Sequence, residues 1–176
     1  NNIVHLMAMA WLDKNGASSA KVKFVEVPFP QMEAALVAGK IDAASIHEPF
    51  AGAAVAKNVA RVLAHPWSDV LSRFLIASWF ASDKWLQKNK QTAQAFVTAL
   101  NRGVDAIAAD PKGSRDAIAK WTGLNPELAG KVPLPVYDKR VSEKDLQATI
   151  NLAQKYKLIP RAIKAGDLIS DMAPKG

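Results

Sequence analysis

Apolar residues recur at helical spacing at one end of this chain and at mixed spacings through its first half. Residues 3–14 place Val4, Met7, Ala8, Trp11 and Leu12 on one helical face, and Asn15-Gly16 marks the end of that helix. Residues 21–27 are rich in β-branched side chains and predict a strand. Pro28-Phe29-Pro30 predicts a turn. Residues 31–38 predict a short helix stopped by Gly39, and residues 41–46 a second strand, where small Ala43 and Ala44 permit close helix packing. An alanine-rich helix over 50–58 follows, then short strands at 60–64 and 73–78. Strand and helix alternate this far, and that alternation predicts an α/β fold: a parallel sheet covered by helices on both faces.

Beyond about residue 78 the pattern becomes almost wholly helical. Ser82 is placed to cap a helix over 83–89. Residues 91–109 carry Phe96, Leu100, Val104 and Ile107 as an apolar stripe that ends at Asp110-Pro111. A helix over 112–121 stops at Thr122-Gly123, and Asn125-Pro126 opens a short turn of helix. Residues 132–137 read as extended, because Pro133 and Pro135 exclude a helix. Ser142 and Asp145 approximate a capping box for a helix over 142–157, with Leu146, Ile150, Ala153 and Lys157 on one face. A half turn at 167–169 closes the series. An organisational boundary falls at 77–82, with neither an internal repeat nor a low-complexity linker.

Composition narrows the class. The 176 residues are 49% hydrophobic, which is globular rather than disordered composition. No apolar run approaches the ~20 residues that span a bilayer. The formal net charge of +7 is scattered as single lysines and arginines or pairs, without the clustered basic stripe of a nucleic-acid binder. With no cysteine, disulfides, thiolate metal sites and cysteine catalysis are excluded. The chain opens on Asn1-Asn2 directly before a helix, and we expect a longer protein whose N-terminal portion precedes it.

Candidate chemistry gathers at turns. His47-Glu48-Pro49-Phe50 follows the end of a predicted strand, the edge where open parallel sheets hold ligands. His47 and Glu48 can bond a polar ligand, and Phe50 can wall it. Composition alone favours the plainer alternative, Glu48 capping the helix that starts at Pro49. Asn1 and Asn2 stand at a helix N-terminus, as caps or as donors to an anion. Phe29 and Gln31 lie in a rigid turn on the same edge, with a plain connection equally open. Arg73 can grip a carboxylate or sulfonate bidentately, or serve as a surface ion-pair partner. His5, His47 and His65 lack zinc-ligand spacing, so no metal is expected. There is no Gly-x-Ser-x-Gly, P-loop or Gly-x-Gly-x-x-Gly motif, and neither a catalytic residue nor a cofactor is expected.

The order strand, proline turn, Met32-Glu33-Ala34-Ala35-Leu36, Gly39, Ile41-Asp42-Ala43-Ala44, then His47-Glu48-Pro49-Phe50 closely resembles the periplasmic substrate-binding proteins of ABC importers. The nearest branch is the nitrate, sulfonate, taurine and thiamine-precursor (NMT1/THI5-like) group. The resemblance covers nearly the whole chain. It implies a type II-like periplasmic binding fold with two hinged lobes. Residues 1–76 would form most of the second lobe, and residues 77–176 the helical return into the first. It places Asn1, Asn2, Ser45, His47, Glu48 and Phe50 at the cleft, with Phe29 and Gln31 close by. It implies a non-enzymatic solute-binding component that captures a sulfonate, nitrate, taurine or pyrimidine thiamine precursor and delivers it to an inner-membrane permease. Such a protein is periplasmic or lipid-anchored outside the cytoplasm, carries a signal peptide in its precursor, works as a monomer and binds no nucleic acid. His47 and Glu48 depart from the Trp-Asp turn of sulfonate binders, and a carboxylate at Glu48 suits a hydrogen-bond donor better than a bare anion. Two alternatives share the architecture. One is an enzyme of the menaquinone-pathway type, since a thiamine-pyrimidine synthase needs cysteines that this chain lacks. The other is the effector-sensing domain of a transcription regulator.

Overall fold

A computed structural model of the chain describes residues 2–123, 125–131 and 134–174. The expected site residue Asn1 and the first two positions of the 132–137 segment lie outside the described residues. The helices are α1 (Ile3–Lys14), α2 (Phe29–Val37), α3 (Phe50–Ala56), α4 (Pro66–Val70), α5 (Asp83–Lys88), α6 (Lys90–Ala109), α7 (Pro111–Thr122), α8 (Pro126–Lys131) and α9 (Glu143–Lys155), with 3₁₀ turns at Ser19–Lys21 and Ala165–Leu168.

The expected α/β sheet does not form. Among the described residues there is no strand ladder, and the type II-like parallel-sheet lobe is corrected to a helical architecture. The segments at 23–28, 43–47, 61–65 and 74–80 are irregular backbone without sheet pairing. Val141 N–H donates to Pro174 O at 2.9 Å, an isolated contact rather than a ladder. The reason lies in what β propensity measures, which is fit to a pleated, half-covered surface rather than a backbone preference. In the first segment Phe24 and Val25, adjacent and so on opposite sides of an extended chain, are both exposed, at 39% and 52%. Val62 and Leu63 repeat this. With both sides this open to solvent, no covered pleated surface holds these residues in a sheet.

The chain divides into two compact units. The first comprises Asn1–Ser72 and Arg115–Leu134, the second Arg73–Ser114 and Pro135–Gly176. The first unit is organised on α1, where Val4, Leu6, Met7 and Ala10 are buried. Leu6 and Ala10 widen the face expected from the spacing. Polar contacts fasten other segments to it. Trp11 Nε1 donates to Asp69 Oδ2 of α4 at 2.9 Å, and Lys14 Nζ donates to the Asp69 carbonyl. Asp13 accepts from the Ser19 N–H at 2.7 Å, which holds the first 3₁₀ turn. Nearby, α2 and α3 are joined by Lys57 Nζ to Glu33 at 2.9 Å.

In the second unit Ser82 caps α5 and Ser142 caps α9, each accepting from the backbone N–H three residues on, as expected. Ile150 of α9 is buried. Gln147, one turn earlier, clamps the following loop. Its Oε1 accepts from Ala165 N at 2.7 Å, and its Nε2 donates to Ile163 O at 3.2 Å. Phe96 leaves the apolar stripe of α6 and meets Trp79 edge-on at 5.3 Å.

Among the described residues, four helices end in the same way. Gly16, Gly39, Asn58 and Lys157 adopt φ of 80°, 62°, 57° and 57°. The next residue in each case bonds back to the carbonyl five positions earlier, as Ala17 does to Leu12 and Leu158 to Ala153. This is the Schellman ending, in which the left-handed residue satisfies carbonyls the helix leaves open. Sequence periodicity carried the last long helix to Lys157, whereas it stops at Lys155 because Lys157 turns left-handed. A lysine there costs about 1 kcal/mol against glycine. Lys157→Gly is therefore expected to raise the thermal midpoint of the second unit by roughly 4–8 °C. Gly39→Ala should lower that of the first by a similar amount, both read by far-UV circular dichroism melts.

Candidate functional site

Of the residues singled out in the sequence, Asn2, Phe29, Gln31, Ser45, His47, Glu48 and Phe50 lie in the first unit. Asn2 caps α1, its Oδ1 accepting from His5 N–H at 3.2 Å. Ser45 Oγ reaches Val4 O in the same first turn through a long hydrogen bond of 3.5 Å. Two residues on, the His47 ring lies 4.3 Å from the ring of Phe29, which opens α2. Phe50 opens α3 and stacks on Phe29 at 6.1 Å with 19° between planes. Phe29, His47 and Phe50 thus form one cluster, with His47 exposed and both phenylalanines half-buried. Aromatic pairs in such geometry contribute about 0.5–1.5 kcal/mol beyond the area they cover.

The Glu48 side chain takes the capping role. Its Oε2 accepts from Gly52 N–H at 2.9 Å across the start of α3. Its carbonyl contacts His47 Nδ1 at 2.8 Å, and the Glu48–Pro49 peptide is cis. Gln31 contributes backbone, its N–H donating to Pro28 O at 2.8 Å while its side chain is exposed.

Arg73 belongs to the second unit and takes the ion-pair role. Its Nε donates to Asp145 Oδ2 and a terminal nitrogen to Asp138 Oδ2, both at 2.8 Å. The bond to Asp138, then that to Asp145, raises the guanidinium pKa above its usual value. Asp138 is held below the usual carboxylate value, first by the Arg140 backbone N–H at 2.9 Å and then by Arg73.

Two features escaped the sequence reading. His5 packs its ring 4.4 Å from Phe24, nineteen positions away, and no local spacing announces that contact. Gly52 was legible in principle, since it stands four residues after Glu48, the separation of a side chain that reaches back over a helix start. A shallow depression on α7 and α8, lined by Asp116, Ala119, Lys120 and Pro126, contains none of the candidates. Among the described residues no helix is long and apolar enough to cross a membrane.

Residues 3–123, more than half of the chain, match the sequence model of the NMT1-like family, and the aromatic cluster falls within the match. The chain belongs to the NMT1-like family. A Brachyspira hyodysenteriae protein that carries the provisional name of ABC transporter periplasmic binding protein is 29% identical over 123 residues. That match covers 70% of this NMT1-like chain and 35% of the relative, so the chain spans about a third of the relative's length. No solved structure matches.

Two outcomes are expected of the NMT1-like chain. Burial lowers the pKa of His5 from its ordinary 6.5. The unfolded chain then binds the proton more tightly than the folded one. The contribution to stability is complete above about pH 6.5 and is lost as pH falls from there toward the lower folded value. Urea titrations across that range should show the loss, and His5→Phe, which keeps a ring against Phe24, should flatten it. Arg73→Gln should lower the thermal midpoint of the second unit at low ionic strength. Added salt should shrink the difference, because the pairs are solvent-accessible.

Proposed function

We propose that this NMT1-like chain is part of the solute-binding component of an ABC-type importer, working outside the cytoplasm and binding a small polar ligand without transforming it. The single observation that supports the reading is the Phe29–His47–Phe50 cluster, which lies inside the region matched by the family. Two aromatic faces and one ring with hydrogen-bonding nitrogens are what a compact ligand needs for shape and orientation. The relative's name supports the transport setting.

In this reading the ligand contacts lie within residues 1–76. Phe29 and Phe50 supply apolar walls, and His47 supplies the polar contact. Asn2, Ser45, Gln31 and Glu48 hold the surrounding backbone. The ligand is a sulfonate, nitrate, taurine or a pyrimidine precursor of thiamine, passed on to an inner-membrane permease. Because binding is the whole task, affinity follows from desolvation and a few convergent contacts rather than from any reacting group.

Titration calorimetry and thermal melts of the 176-residue chain with taurine, an alkanesulfonate, nitrate and a hydroxymethyl-aminopyrimidine test this. One of the four should bind, and at a hundred times its Kd it should stabilise the chain by about 2.7 kcal/mol. Phe29→Ala and His47→Ala should each weaken that binding at least about tenfold, the equivalent of 1.4 kcal/mol. The reading is overturned if none of the four shifts the melt of the folded chain. Recovery of a chemically altered ligand would instead favour an enzyme on the same scaffold.

A further inference from the structure

The turn at 47–52 bears on which nitrogen of His47 carries the hydrogen. His47 Nδ1 lies 2.8 Å from the carbonyl oxygen of Glu48. A carbonyl only accepts, so Nδ1 is the protonated nitrogen of this bond. In the neutral imidazole the other nitrogen, Nε2, is then a pure acceptor. The Glu48 carboxylate is engaged with α3, where Oε2 accepts from Gly52 N–H at 2.9 Å. A Cβ at position 52 would stand 2.8 Å from that same oxygen, a distance that real Cβ contacts do not show. A side chain at Gly52 would therefore displace the carboxylate from this position. Glu48 thus contacts Gly52 through its carboxylate and His47 through its carbonyl.

We propose that His47 Nε2 is the specificity-determining acceptor of this site, with Glu48 and Gly52 as positioning residues that hold its tautomer. The inference rests on the solute-binding reading and narrows it. The favoured ligand carries an N–H or O–H donor together with a flat or apolar face for Phe29 and Phe50. An acceptor-only anion, such as nitrate or an unsubstituted sulfonate, would bring its lone pairs against another lone pair. Specificity built in this way comes from rejecting the wrong partner as much as from holding the right one.

Side-chain ¹H–¹⁵N correlation spectra of the ligand-free, histidine-labelled chain at mildly alkaline pH report which ring nitrogen bears the hydrogen. His47 should be in the Nδ1–H form. It should remain so in Glu48→Gln, whose amide oxygen can still accept from Gly52 N–H. In Glu48→Ala and Gly52→Ala it should move toward the Nε2–H form. Circular dichroism checks folding, and if Gly52→Ala does not fold, the Glu48 pair decides. An Nε2–H form in the unsubstituted chain, or one unchanged by Glu48→Ala, overturns the positioning assignment and leaves solute binding untouched. In the second arm, calorimetry compares the hydroxymethyl-aminopyrimidine, a donor ligand, with nitrate. The donor ligand should bind at least tenfold more tightly, and His47→Phe should abolish that preference. Nitrate binding as tightly as the donor ligand overturns the specificity. If neither compound binds while the Nδ1–H form holds, the ligand half of the proposal falls, and the solute-binding reading falls with it only when taurine and the alkanesulfonate also fail to bind.

Discussion

The first unit depends on the burial of one face of α1. Leu6 and Met7 are the largest fully buried side chains among the described residues. Burying a side chain of that size is worth about 1.5–3 kcal/mol, more than any single polar contact around it. The polar contacts therefore position rather than drive. Asp13 fixes the 3₁₀ turn, Asp69 fixes α4 through Trp11 and Lys14, and the Val4 carbonyl receives Ser45. Each attaches a segment that has little apolar surface of its own to bury. The loop carrying His47 is among them, so the geometry of the aromatic cluster is tied to an α-helix more than thirty residues earlier in the chain.

Helices were legible in the sequence because their signals are local. Asn2, Ser82 and Ser142 each cap the helix that their position announced, and Gly16 and Gly39 end theirs. Capping and Schellman endings require only a residue type within a few positions of the helix end. Strands were misread for the converse reason. The β-branched run at 21–27 reports suitability for a sheet, while a sheet exists only when another segment supplies hydrogen bonds and a cover. The short helix α4 went unpredicted, since Pro66 opens only five residues and the fastening through Asp69 is a contact 58 positions long.

At the candidate site the sequence identified the residue types but not how they divide the work. His47, Glu48 and Phe50 were legible as a group because they are adjacent, and Phe29 because its turn precedes a helix. The helix-capping role of Glu48 was the alternative that composition favoured, whereas adjacency could not say that its carbonyl engages His47. Arg73 shows the same limit. An arginine leading into an extended segment can meet an anionic ligand but is more often a surface ion-pair partner, and only the chain's return at 138–145 supplies Asp138 and Asp145.

Six of the ten buried apolar residues among those described are alanines: Ala10, Ala54, Ala93, Ala119, Ala129 and Ala165. Alanine lets backbones approach closely but withdraws little hydrocarbon from water. The heat capacity of unfolding scales with apolar area exposed, at about 0.45 cal/K/mol per Å², so a core of this composition releases comparatively little of it. The stability of this protein should therefore follow a shallow curve in temperature, with weak cold destabilisation.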